Sequence, residues 1–191
     1  MARLIATTAC AGLLPRTVAE VTLTEATLGT VTFIAPFRGQ TEAATAILTA
    51  DGLRFPDPGE TITSGRARII WAGHGRALLC GVEPPMALIG LAALTEQTDA
   101  SAVVRIEGDA VEAVLARLVP VDLRIRSFAE GRTARTMVGH MTASVTRVGP
   151  MAFEVMVMRS MAATLVHELT EAAIGGAGAG VRWVLTHLAC F

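Results

Sequence analysis

The groups in this 191-residue chain that could do chemistry are its histidines, cysteines, acids and arginines. His74 falls in a Gly-His-Gly turn, His140 on an alternating run, His167 on the polar side of a helical pattern and His187 near the end. No two share the i, i+4 spacing with which paired imidazoles hold a metal on one helix. Ser160 and His167 are nearly two helical turns apart, too far for the hydrogen bond that a serine nucleophile needs from its base. No G-x-S-x-G turn is present. Cys10, Cys80 and Cys190 are odd in number and far apart, which suggests neither a zinc knuckle nor a disulfide framework and fits a reducing cytoplasm. All 16 basic residues are arginine, and lysine and tyrosine are absent. Schiff-base chemistry and a phenolic acid or base are therefore excluded.

The acids Asp99, Asp109, Glu112 and Asp122 fall in the central stretch. Asp109 and Glu112 have capping-box spacing, and Asp122 after Pro120 suits a turn, so nothing favours a paired-carboxylate site. Arg124, Arg126, Arg132, Arg135, Arg147 and Arg159 crowd the second half, with Arg135 and Arg147 facing each other across a predicted hairpin. Net charge is −1 and no basic block occurs, so a solvated or interfacial arginine face is the stronger reading and nucleic acid is not a partner. GGAGAG at 175–180 lacks the strand before and the helix after that a phosphate-binding loop requires, and it reads as a linker.

These residues must be positioned by elements whose periods are visible. Residues 30–35 alternate as a strand that Pro36 ends, and Val21 to Thr24 make a shorter one. Gln40 to Ala50 form a helix with Ala44, Ile47 and Leu48 inward, closed by Asp51-Gly52. Residues 55–59 make a proline-bearing loop. Arg68 to Ala72 and Arg76 to Val82 form a hairpin, apolar on both faces, so each side needs a cover. Ala102 to Ile106 is the next strand. Asp109 caps a helix whose Val111, Val114, Leu115 and Leu118 lie on one face, and Pro120 stops it. After a loop come three strands, of which residues 140–146 alternate, Gly149-Pro150 turns, and Phe153 to Met158 return. The stretch from Thr95 through the closing helix thus reads β-α-β-β-β-α. Ser160 caps a closing helix that buries Ala162, Leu165, Val166, Leu169 and Ala173 and ends at Gly175.

Set side by side, the two halves repeat the order strand, glycine, helix, proline-bearing loop, hairpin. The predicted fold is α+β, with two pseudo-repeated β-α-β-β units and helices packed on antiparallel or mixed sheets. An N-terminal arm covers 1–20. A single domain covers 21–174, its halves at about 21–85 and 95–174, linked by Met86 to Leu94, and a Gly-rich linker with an apolar tail fills 175–191. Hydrophobic residues are 52% and charged residues 17% of the chain, yet no apolar run approaches the 18 residues of a membrane span. So apolar a chain with no span to insert points to surface hidden against another chain.

Several stretches together carry a resemblance. They are AGLLP in the arm, IAPFRGQ at 34–40, ALTEQTDASAVVRIEG at 93–108, ARLVPVDLR at 116–124, TARTMVGHM at 133–141 and FEVMVMRSMAATLVHEL at 153–169. Across about residues 11–174 the chain resembles the gamma subunits of heterotetrameric sarcosine oxidases; the tail after Gly175 departs from that pattern. The resemblance implies a fold similar to the folate-binding domain of the glycine-cleavage aminomethyltransferase. It implies a cytoplasmic oxidoreductase complex that demethylates sarcosine to glycine with oxygen and tetrahydrofolate. FAD, FMN, NAD and zinc would sit in the alpha, beta and delta partner chains. This chain would hold no cofactor, metal or catalytic residue and would pack chiefly on the alpha chain. Phe37, Arg38, Asp122, Phe128 and Arg159, at loops or strand ends of the matched stretches, are the candidate interface residues, with bracing of their own loops the competing role. The alternatives are a stand-alone folate-binding module and, more weakly, an assembly factor.

Overall fold

The computed structural model describes the backbone of residues 5–187 and the side chains of residues 5–176. Two antiparallel sheets are each backed by helix. The first repeat runs β3 (Val31–Pro36), α1 (Thr41–Leu48), β4 (Thr61–Ser64), β5 (Ala67–Gly73), β6 (Arg76–Cys80) and β7 (Ala92–Glu96). The second runs β8 (Ser101–Glu107), α2 (Val111–Leu115), β9 (Thr133–Val138), β10 (Met141–Gly149), β11 (Ala152–Met158) and α3 (Ala162–His187). Two strands precede them, β1 (Arg16–Val18) and β2 (Val21–Glu25).

The sheet orders make the internal repeat explicit. One sheet reads β4-β5-β6-β3-β7 and the other β9-β10-β11-β8-β2-β1. In each, a three-strand meander closes by pairing its last strand with the strand that began the unit. Every ladder is antiparallel, so no mixed sheet forms. The second unit runs strand, helix, three strands, helix, as its sequence predicts, and the first matches it only with strands beyond the β-α-β-β expectation. One of these is β4, whose short Thr-Ile-Thr-Ser run carries little apolar alternation.

The sheets also redraw the domain boundaries. β2 pairs β8, so residues 21–25 belong with the second unit, and the arm contributes β1 to the same sheet. Cys10 is buried in that unit's core, with Leu13 and Leu14 packed against it. The segment between the halves supplies β7, which pairs β3 just as β2 pairs β8. Gly108 pins this arrangement. Its φ is +136°, and a Cβ there would lie 2.0 Å from Glu20 O, so only glycine lets β8 end against the β1–β2 turn.

Period-two alternation distributes the side chains. Ile34, Ile69 and Leu79 point to Ala44 and Leu48 of α1. Val104, Val145, Phe153 and Val155 point to Val114 and Leu115 of α2 and to Leu165, Val166 and Leu169 of α3. The opposite faces meet in a small apolar contact, Val31, Ile70 and Cys80 with Met156. The hairpin β5–β6 is thus covered on both faces, which accounts for its two-sided apolar sequence.

Both predicted side-chain caps are replaced. Ala110 occupies the N-cap of α2 and Asp109 makes no capping bond; Met158, not Ser160, caps the 3-10 turn Arg159–Met161 that leads into α3. The closing helix also passes Gly175 and continues to His187, across most of the predicted linker. A helix stops at glycine when the residue turns left-handed. Gly175 and Gly176 have no positive φ, and an interior glycine costs a helix only about 1 kcal/mol relative to alanine. Residues 188–191, the end of the predicted tail with Cys190, lie outside the described residues. No described helix is long and apolar enough to cross a membrane.

Candidate functional site

The groups that could do chemistry are mostly committed elsewhere. Glu112, on α2, meets the guanidinium of Arg147, whose Nη2 donates to Glu112 Oε1 at 2.5 Å. Arg147 is completely buried. Its Nη1 donates to Pro150 O and its Nη2 also to Leu123 O, while its Cζ lies over the Phe153 ring, 4.3 Å from the centroid. It sits where β10 bulges between Arg147 and Gly149, so the bulge aims the side chain at the loop after α2. One buried cation thus ties together a helix, a loop and a strand turn. Arg135 instead pairs with Ser144 on β10 and donates to Ala72 O at 3.2 Å, so the predicted pairing of Arg135 with Arg147 does not form.

Both described cysteines are thiols, not thiolates. Burial, reinforced by the Glu25 carboxylate, pushes Cys10 up to about 11. Burial pushes Cys80 to about 11 as well. Neither is a nucleophile near neutrality. His74, His140 and His167 are all exposed, and no described group of three or more His, Cys, Asp or Glu is arranged to hold a metal ion.

The predicted interface residues fall in three places, and no hydrogen bond or ion pair among the described residues joins them. Phe37 and Arg38 follow β3 and are exposed. The Phe37 N–H donates to Leu91 O at 2.8 Å, which sets its ring at the same end of the sheet as the exposed Met86 and Ile89. Asp122 and Phe128 lie in the loop between α2 and β9. The Asp122 carboxylate takes two bonds from the Arg124 side chain, at 2.7 and 2.6 Å, and one from Ser127 Oγ at 2.9 Å. Those bonds, with Arg124 first, hold Asp122 far below the usual carboxylate range. Phe128 is 5% exposed and stacks on Phe153 with centroids 6.3 Å apart. Its ring therefore belongs to the core, which corrects its reading as an interface residue. Arg159 donates to Thr7 O at 2.5 Å and approaches Asp99 at 3.7 Å, tying the arm to the end of β11. Of the five, Phe37, Arg38 and Asp122 are exposed, Arg159 is half-buried and Phe128 is buried, and Asp122, Phe128 and Arg159 also brace the chain itself.

Sequence reading missed a polar slot between the two sheets. Arg68 of β5 reaches across it to Glu154 of β11 at 2.5 Å. In the sequence Glu154 is the one polar residue of an apolar run and Arg68 merely opens another. Only the register shows that they point at one another.

The fold and site together define a class: an internally duplicated pair of antiparallel sheets with helices on the outer faces. The solved structure of heterotetrameric sarcosine oxidase from Corynebacterium sp. U-96 contains a chain with this fold. It is 24% identical, with a TM-score of 0.74, and the match covers 88% of this chain and 94% of that one. Glycine cleavage system aminomethyltransferase T from Bartonella henselae shares the fold at 14% identity and a TM-score of 0.56, over 80% of this chain and 46% of its own. This chain thus spans under half of the aminomethyltransferase but nearly all of the oxidase chain. No protein-family profile matches the sequence, and no curated protein matches it.

Proposed function

We propose that this chain is a gamma-type structural subunit of a heterotetrameric sarcosine oxidase. The observation that carries the reading is the end-to-end match to one chain of such an enzyme, with the same fold and nearly the same extent. The sequence stretches at 34–40, 93–108 and 153–169 point the same way. The engagement of Glu112, Asp122 and the buried thiols in structural roles fits a chain that contributes no reacting group. In this reading FAD, FMN, NAD and zinc belong to cytoplasmic alpha, beta and delta partners. The chain packs chiefly on the alpha partner, with Phe37 and Arg38, flanked by Met86 and Ile89, as the contact.

The test is to co-express a tagged form with its neighbouring genes, capture through the tag, and measure oxygen uptake with sarcosine. Sarcosine-dependent uptake by the captured complex, and none by this chain alone, is the expected result. Capture of an inactive lone chain opposes the reading. The second reading, a folate-binding module, is favoured only by the aminomethyltransferase-like fold, and fold alone does not give function. Calorimetry of the isolated chain with tetrahydrofolate separates the two: one-to-one binding supports the module.

A further inference from the structure

Residues paired across a ladder share a face of the sheet. Thr61 pairs with Ile70, and Thr63 with Arg68, so all of them look toward the other sheet. Glu154 pairs with both Thr146 and Arg105, which look back. The Arg68–Glu154 ion pair shows that the two faces are opposed. Stacked sheets ordinarily fill this space with interdigitating apolar side chains about 10 Å apart. Here, among the described residues, the apolar contact is a small cluster of Val31, Ile70 and Cys80 with Leu28, Leu78 and Met156. Beside it lies a cavity of about 530 Å³ lined by Thr61, Thr63, Arg68, Arg105, Thr146 and Glu154.

The donors in this cavity exceed their acceptors. Thr61 Oγ1 is buried and has no partner among the described residues. The other such atom, Arg147 Nε, belongs to a side chain that turns to the helix side, against Phe153. Arg68 is only 16% exposed, and its bonds within the described residues engage Nη2 alone. A guanidinium carries five N–H donors. Arg105 likewise spends only Nε, on Glu107. The exposed Arg66 also lines the cavity, as does one exposed acid, Glu130. Thr146 Oγ1 is already satisfied by Thr133 Oγ1 at 2.8 Å. Buried polar groups normally find partners, and an unpaired hydroxyl beside arginine forks is what an oxygen-rich anion completes.

We propose that the inter-sheet cavity binds a small oxyanion, a carboxylate or a phosphate, gripped by the free N–H groups of Arg68 and Arg105 and the hydroxyl of Thr61. The site stands apart from the assembly reading and does not depend on it. Thermal unfolding of the full chain, titrated with inorganic phosphate in one arm and succinate in the other, tests it. Sodium chloride at matched ionic strength is the reference. One of the two anions raises Tm saturably, as ligand linkage requires. Thr61→Val and Arg105→Gln each weaken that anion roughly tenfold or more, the usual effect of deleting a bond to a charged group. No saturable rise with either anion, or an equal rise in both variants, overturns the proposal. If a variant fails to fold, the amide resonances of Thr61, Thr63 and Arg105 in the unsubstituted chain decide: movement on titration supports the site and stillness opposes it.

Discussion

Arg147 shows how a residue that reads as surface charge becomes a structural centre. In sequence it is one of several arginines in the second half; in the fold it is fully buried, with Glu112, two carbonyls and an aromatic face around it. Removing one member of a buried ion pair costs several kcal/mol because the other charge is left uncompensated. Glu112 is 32% exposed, so water relieves part of that penalty on its side. Glu112→Ala is expected to destabilise the chain by about 3–5 kcal/mol in denaturant titrations, because it strands the fully buried Arg147 cation. Arg147→Ala leaves a carboxylate that water reaches but also orphans the Leu123 and Pro150 carbonyls, and costs a similar amount, about 3–5 kcal/mol. The thiols give a pH prediction. A group whose folded value is raised contributes stability that is intact below its ordinary value and fades as pH climbs through the folded one. For Cys10 and Cys80 that window runs from 9.0 to about 11. The urea midpoint should fall across this range, and Cys80→Ala should make the fall shallower.

At the scale of elements, long periodic segments were legible and short ones were not. The helix after β3, the hairpin β5–β6 and the inward face of α3 follow from their apolar spacing, because burial of that spacing is what folds them. β4 and β7 escaped since each is stabilised by its neighbours in the sheet and not by a pattern of its own. The arm was read as separate because its link to β8 is a backbone approach at Gly108, which no periodicity records. That contact is testable. Gly108→Ala places a Cβ against the Glu20 carbonyl at a φ that alanine rarely adopts. It should cost about 1–3 kcal/mol or more from backbone strain alone and should release early amide exchange in β1 and β2 before the rest of the sheet. The candidate interface was only partly legible for a related reason. Loop position is visible in a sequence, but whether a loop side chain turns outward like Phe37 or inward like Phe128 is decided by the core it meets.

At the scale of the whole molecule, the duplicated units leave large apolar side chains in water. Met86 is 79% exposed, Met158 67% and Ile89 62%. Single exposed apolar residues are ordinary, but Phe37, Met86 and Ile89 share one end of a sheet. In the proposed assembly a partner covers this surface. Phe37→Glu should leave the fold intact, since the ring makes no core contact, yet weaken co-purification severalfold or more. Native mass spectrometry of whatever purifies with the tagged chain tests the proposed assembly most directly. A discrete complex with one copy of this 19.9 kDa chain and larger flavin-bearing companions is the predicted result. A stable, soluble monomer that recruits no companion from its co-expressed neighbours would contradict it.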